Sequence, residues 1–549
     1  MILSKEHLLD KQDLLADICI VGGGPAAIAM ALQLASKSIK VVIVTGGGWT
    51  QTLANKDIYK GEVSPPMSHE RPDKMRRRQF GGGTAVWAGR CVPFEPIDYR
   101  HRSWVPDSGW PITYKEMVPY YKKACGICQI GAFDFNAHSV FPTKPKEIIP
   151  GFDSSDFDSS FLERYSAPIN FAKAYKAELE RSPTVKVLLD CHALSLHMEE
   201  GNGKVSHLSV AAGDARITVT AAKYVLAAGG IETPRLLLAS TNDYFPTGIG
   251  NQHDNVGRYY NTHITGTYAK VAPDHREKII FDYERDAQGI FCRRRWGIPE
   301  QTQTNKELLN TIFYLSYPHQ LTEKESPFST MLYNAAKYVS QATGLRDFLR
   351  KEVQAKGILG STSHRMYNLG LPARLPSKNS KFWGLFFSAE QTPNRNSRIT
   401  LSQTSQDALG MPRVNVQIAF TENDVESLVK AHNLFVARFR KKNLGKIEYT
   451  EDGFREYLLN RLQHFNSYAH HMGTTRMSDD PNKGVVDRNA KVYGVKNLFI
   501  AGSSTFPTGG HANPTVTVVA QALRLADHLT SLKQTASYKK QDSLANIVL

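Results

Sequence analysis

The run Asp17-Ile-Cys-Ile-Val-Gly-Gly-Gly-Pro-Ala-Ala27 constrains this chain more than any other stretch. An apolar segment, Ile18 to Val21, stops at three glycines. Small and apolar residues then recur at helical spacing through Ala26, Ala27, Met30, Leu32 and Leu34. A second apolar run, Val41 to Val44, follows. Strand, glycine turn, helix and strand open a doubly wound nucleotide-binding sheet. Gly22 permits the tight turn, and Gly24 lets the backbone approach a pyrophosphate. Ala27 takes the third small position, where helix and strand pack closely. The helix starts at Pro25 and Ala26, and its free N–H groups suit phosphate. The second strand ends in Thr45 where an acidic residue usually meets the adenosine ribose, so a different ribose contact is expected.

At 549 residues the chain exceeds one simple core, and two intertwined domains are expected. Mean hydropathy is −0.36, and no apolar run approaches the roughly 20 residues of a membrane span. The N-terminal segment lacks the basic head and apolar core of a signal peptide. These features point to a cytoplasmic protein, with export on a partner's signal left open. The six cysteines are scattered. Cys19 lies in the first strand and should be buried. Cys125 and Cys128 form the one close pair, without the second pair or His cluster of a zinc site, so free thiols and no metal are expected.

The formal charge is +15, with basic clusters at Arg76–Arg78, Arg293–Arg295, Arg438–Lys442 and Lys539–Lys540. No nucleic-acid-binding motif surrounds them. They read as a solvated basic surface, with attraction to an anionic membrane or an acidic redox partner left open.

Further along, Gly81-Gly-Gly-Thr-Ala-Val-Trp-Ala88 suits a loop lying against a flat ligand, anchored by Trp87. Residues 132–165 look irregular. Ser166 to Arg181 reads as a helix with Ser166 as cap and Pro168 in its first turn. Val185–Asp190, Ala193–Met198, Val205–Ala211 and Ala215–Thr220 read as strands. Tyr224–Ser240 repeats the opening logic of strand, glycines and helix, placing Pro234 in the helix's first turn. Residues 264–320 alternate like strands of a second sheet. Residues 322–370 look helical, with apolar residues for core packing or for a lid. A strand at Phe382–Ser388, another at Val414–Ile418 and a helix at Glu422–Arg440 follow. Near the end, Ala469-His-His-Met-Gly-Thr-Thr474 precedes a strand, a turn through Gly502 and Ser503, and a helix beginning near Pro514 and ending about Leu529. Residues 533–549 read as a loose tail.

Taken together, these stretches resemble the glucose–methanol–choline (GMC) family of FAD-dependent oxidoreductases over nearly the whole length. The match rests on Gly22-x-Gly24-x-x-Ala27, Gly81-Gly-Gly-Thr-x-x-Trp87, Ala227-Ala-Gly-Gly-Ile-Glu-Thr-Pro234, His470-x-x-Gly-Thr474, Phe506-Pro and Asn513-Pro-Thr515. The resemblance implies an α/β fold: a doubly wound FAD-binding domain with an interleaved antiparallel-sheet substrate domain. It apportions residues 1–100, 166–265 and 456–532 to FAD, 101–165 to a connecting lid region, 266–455 to the substrate and 533–549 to the tail. FAD is then held by Gly22, Gly24, Pro25, Ala26, Thr45, Gly82, Gly83, Thr84, Trp87, Ala88, Ala228, Gly229, Gly502, Ser503, Asn513, Pro514 and Thr515.

The same resemblance assigns His470 as a base that takes the alcohol proton and Asn513 as its partner at the substrate oxygen. His471 and His511 are near enough to be substrate contacts, and Glu390, Gln391 and Asn394 lie where the second sheet should face the flavin. The glycine loop and Ser108-Gly-Trp-Pro111 look closest to pyranose oxidases and glycoside 3-dehydrogenases. That branch implies oxidation of a sugar or glycoside ring hydroxyl, with oxygen or a redox partner receiving the electrons. Some of its members link FAD covalently through a His just before the loop Trp. Here Val86 stands there, implying non-covalent FAD. A non-sugar alcohol, a lyase on the same fold, or a basic binding protein with a vestigial flavin site are the alternatives.

Overall fold

The structure is a computed structural model describing residues 1–8, 13–65, 69–167, 169–201, 203–316, 382–464 and 470–545. Its first sheet has eight strands. The strand Asp13–Val21 lies between Val41–Val44 and Ala215–Leu226, all parallel. Val185–Leu188 and Ile2–Leu3 extend one side, also in parallel. All four residues of Val41–Val44 are buried, as a parallel strand covered on both faces requires. Ala215–Leu226 is one continuous strand, longer than the two pieces the sequence implies. Its first half pairs antiparallel with Val205–Ala212, and its last three residues pair parallel with Leu498–Ile500. The helices Pro25–Ala35 and Thr515–Ala545 pack together, with Gln33 Nε2 donating to Asp527 Oδ1 at 2.6 Å. That second helix runs past Leu529 into the stretch expected to be a loose tail.

The second sheet also has eight strands, and every pairing in it is antiparallel. It runs from Gly445–Glu448 through His263–Pro273, Trp383–Glu390, Thr311–Ser316, Phe291–Gly297 and Asp158–Tyr165 to Arg90–Cys91. The helix Glu422–Lys441, opened by a Thr421/Asp424 capping box, packs an aromatic core against it. Phe152, Phe157, Trp296, Phe313 and Phe435 interlock there. A three-stranded sheet joins Arg398–Gln406 and Pro412–Gln417 to Gly61–Val63. Among the described residues no helix is long and apolar enough to cross a membrane.

Several expectations need correction. Asp158–Tyr165 is a strand, not irregular chain, because its polar Glu163 and Arg164 are buried in ion pairs. The helix expected from Ser166 is two short ones, Phe171–Ala174 and Lys176–Arg181, and Asn170 caps the first. Pro168 and residues 322–370 lie outside the described residues. Pro234 sits inside the helix Gly229–Ala239, not in its first turn. A proline there leaves the carbonyl four residues back without its helical donor. The Thr474 hydroxyl supplies one, donating to Gly230 O at 2.6 Å.

Two arginine clusters are not surface. Arg76 and Arg78 pair with Glu232, and burial would raise that carboxyl, but Arg235, Arg76 and Arg78 outweigh it and hold it at about 2. Arg293 and Arg90 likewise overcome burial at Glu163, held at about 2. All six cysteines are free and buried, and burial pushes the Cys19 thiol up to about 12.

Arg102 and Glu390 form a bidentate pair with side chains 1% and 0% exposed. Glu390 also accepts from Asn310 N at 2.7 Å. Removing one member strands a buried charge, at a cost of about 3–5 kcal/mol. Glu390→Ala should therefore lower the denaturant midpoint strongly, with a change of that order on chemical unfolding. A small stability change with a raised substrate KM would instead make Glu390 a substrate contact.

Candidate active site

A cavity of about 720 Å³ opens at the carboxyl ends of Asp13–Val21 and Val41–Val44. Its wall includes every residue expected at FAD, from Gly22, Gly24, Pro25, Ala26 and Thr45 through Gly82, Gly83, Thr84, Trp87 and Ala88 to Ala228, Gly229, Gly502, Ser503, Asn513, Pro514 and Thr515. His470 and His471 line it too, and Thr265, Phe386 and Ser388 reach it from the second sheet.

Gly22 has φ +120°, and a Cβ there would stand 2.3 Å from Ala227 O. Only glycine lets the first turn approach the strand Ala215–Leu226 so closely. Gly24 behaves differently. It has an ordinary φ of −82°, caps the helix without a side-chain bond, and a Cβ there would meet nothing within 4 Å. The same open space surrounds Gly83, Gly229 and Gly502. With Gly24 as cap and Pro25 in its first position, the helix leaves first-turn N–H groups such as that of Ala26 free at the cavity. The glycine loop is held rigid around this space. Trp87 Nε1 donates to Ile169 O at 2.9 Å, and Thr84 Oγ1 donates to Gly81 O at 2.6 Å. Near Thr45 and Gly46 the wall is cationic. Arg78 Nη2 bonds His192 Nδ1 at 3.1 Å, while Arg78 Nε has no partner in the protein. Open glycines, a free helix start and an orphaned guanidinium N–H fit an extended dinucleotide with a pyrophosphate.

The histidine loop is clipped to the second sheet. Asn261 N donates to Met472 O at 3.0 Å, and Met472 N donates to Asn261 O at 3.1 Å. This antiparallel bridge sets His470 opposite His263, with their Nδ1 atoms 2.8 Å apart. Burial, then His263 and Arg90, hold the His470 imidazole well below its ordinary pKa. His471 points into a different environment, near His69 and Tyr260. Burial, then His69 and Arg76, depress it as well. The His471 carbonyl accepts from the Ser503 hydroxyl at 2.7 Å.

Four expected substrate contacts stand elsewhere. Glu390 is sealed in its pair with Arg102. Gln391 accepts from Thr262 N at 3.1 Å, and Asn394 Nδ2 donates to Ala419 O at 3.2 Å. His511 is buried, with Arg295 Nη1 donating to its Nδ1 at 3.0 Å and its Nε2 donating to Glu95 at 2.8 Å. None of the four lines the cavity. Sequence reasoning missed Arg90, Thr265, Phe386 and Ser388 in the wall and His263 behind it.

Residues 393–522 match the model of the family described as GMC oxidoreductase. The chain therefore carries the C-terminal domain of the GMC oxidoreductases. It is similar to 2-methyl-1,2-propanediol dehydrogenase of Mycolicibacterium austroafricanum, 24% identical over 94% of this chain and 95% of the relative. It is 23% identical to the fructose dehydrogenase large subunit of Gluconobacter japonicus, over 96% of this chain and all of that one, 100%. A C-glycoside 3-oxidase of Arthrobacter globiformis is 32% identical over 25% of each chain. The fold matches crystalline pyridoxine 4-oxidase from Mesorbium loti with a TM-score of 0.58 and 16% identity, covering 93% of this chain and 99% of the other. These matches support an enzyme acting on CH–OH groups, and FAD is the cofactor of the GMC oxidoreductases it resembles.

Because nothing crowds Gly24 within the protein, Gly24→Val should leave the fold intact while filling the place the backbone leaves for a pyrophosphate. The purified variant should melt as a cooperative protein but show little or no flavin absorbance per chain. Stoichiometric flavin in that variant would place the phosphates elsewhere.

Proposed function

We propose that this chain is a GMC oxidoreductase that converts a secondary alcohol, a ring hydroxyl of a sugar or glycoside, to the ketone. The reading rests chiefly on two buried polar atoms without partners, Arg90 Nη2 and Thr265 Oγ1, on residues of the same wall as His470. A buried polar group left unpaired costs about 1–3 kcal/mol, so a hydroxyl-rich ligand is favoured there over an apolar one. Similarity to relatives named for fructose and for C-glycosides supports the sugar class. Similarity to the 2-methyl-1,2-propanediol dehydrogenase supports a small diol as the second reading.

FAD, when bound, supplies the two-electron acceptor for the hydrogen on the carbinol carbon. The chain's own residues handle the proton. His470 takes it from the hydroxyl as a neutral base, and Asn513 holds the same oxygen. The alcohol thus loses one proton to His470 and one hydrogen with two electrons from carbon, leaving C=O. Oxygen or a redox partner would receive the electrons that FAD takes up. Val86 offers no atom for a covalent flavin link at its position, so FAD is held without one. Acid precipitation should therefore release all the yellow colour into the supernatant. Colour on the denatured polypeptide would refute non-covalent binding.

His470→Ala should keep FAD yet lose on the order of 10²–10⁴ in the rate of flavin bleaching by substrate, read anaerobically by stopped flow. His471→Ala should lose less. A larger loss in His471→Ala, with FAD retained, would move the base by one residue.

The pH dependence has a definite sign. The His470 pKa is lowered from 6.5, so its base form persists below that value. The bleaching rate should stay level from neutral pH down through 6.5 and decline only in more acid solution. A decline already complete at pH 6.5 would show a base with an unshifted or raised pKa.

A further inference from the structure

We infer that His263 is a positioning residue that fixes the tautomer of His470, leaving the lone pair of His470 on Nε2. The inference rests on the reading of His470 as the base.

The argument is one of hydrogen-bond arithmetic. His263 Nε2 lies 3.2 Å from Gly509 O, and a carbonyl oxygen only accepts. His263 therefore carries its proton on Nε2. In a neutral imidazole the other nitrogen is then a lone pair. Burial pushes the His263 pKa down to about 3, partly opposed by the Gly509 carbonyl, and His511 and Arg90 push in the same direction as burial. The ring is thus neutral at working pH, and its Nδ1 is an acceptor. His470 Nδ1 stands 2.8 Å from that acceptor, so the shared proton belongs to His470. His470 is itself neutral, under the same burial and beside the same Arg90. With its one proton on Nδ1, its Nε2 is free to take the alcohol proton.

The register of the chain enforces this contact. The bridge between Asn261 and Met472 puts residues 263 and 470 opposite each other, two positions along on the same face. Met472 and Asn261 also press on Gly509, where a Cβ would meet Met472 Cε at 2.7 Å and Asn261 Oδ1 at 2.9 Å. The carbonyl that reads His263 is thereby held in place. Gly509 belongs to the same loop as Asn513, so one hydrogen-bonded series ties the base to the residue expected at the substrate oxygen.

When His470 accepts the proton on Nε2 it becomes an imidazolium, and its Nδ1–H bond to His263 strengthens. This mirrors the role of an orienting acceptor behind a catalytic imidazole, here filled by a second neutral histidine.

The test uses the FAD-loaded full chain. Asparagine places its Oδ1 near the position of His263 Nδ1 and keeps the acceptor. Glutamine reaches the Nε2 position, keeps a donor to Gly509 and loses the acceptor. His263→Asn should bleach its flavin at close to the wild-type rate, and His263→Gln and His263→Leu should lose on the order of 10²-fold in kcat with KM little changed. Flavin content should be equal in all three. Glutamine matching or exceeding asparagine, or no loss in any variant, overturns the inference.

A second readout needs no variant at 263. In wild-type protein with ¹⁵N-labelled histidine, the His470 resonances, assigned by their absence in His470→Ala, should show the proton on Nδ1. A proton on Nε2 overturns the inference. If His470→Ala itself keeps full activity, the reading of the base has failed instead, and the tautomer result stands alone.

Discussion

Two backbone hydrogen bonds between Asn261 and Met472 join the parts of this enzyme that have to meet. Asn261 leads into His263–Pro273, a strand of the roof sheet. Met472 lies in the loop that carries the two adjacent histidines, and that loop rests on the nucleotide-binding half through Gly473 N to Ser503 O at 3.1 Å and Thr475 N to Ser504 O at 2.8 Å. The backbone of residues 472–475 is therefore bonded to both halves at once. That arrangement sets His263 of the roof against His470 at the reacting end.

Much of the floor was legible because it is built from local rules. The apolar strand, the glycines and the helix between Asp13 and Ala35 follow one another without a break, so periodicity and φ requirements suffice. All the residues expected at the flavin border one cavity for the same reason: each sits in a glycine turn or at a helix start. The roof was less legible. Glu163 and Arg293 are cross-strand partners, and Arg90 joins them from the neighbouring strand. Three segments far apart in sequence each look polar alone, and only their pairing makes a buried strand face. The arginine triplets therefore read as surface when taken singly.

Within the site, three of the misplaced expectations share one cause. Glu390 ends, and Gln391 and Asn394 follow, a strand that does reach the cavity through Phe386 and Ser388. Glu390 shares a strand face with Phe386 and Ser388, but the strand leaves the cavity before residue 390. Glu390 then meets Arg102 instead of a ligand. His263 was invisible for the opposite reason. Nothing near it in sequence marks it, and its importance comes wholly from lying two residues beyond a bridge to a segment some 200 residues away.

The pairing of Pro234 with Thr474 has a consequence for how the protein is made. The helix Gly229–Ala239 carries a carbonyl that its own proline cannot serve, and the hydroxyl that does so comes from residue 474. The strand Leu498–Ile500 and the wall residues 502–515 are translated later still. On the ribosome, then, the glycine turn at residues 22–24 waits for the last of its pocket wall, residues 501–518. A nascent chain stalled before residue 474 lacks both the hydroxyl that serves Gly230 and the last stretch of the pocket wall, so its nucleotide-binding half is incomplete.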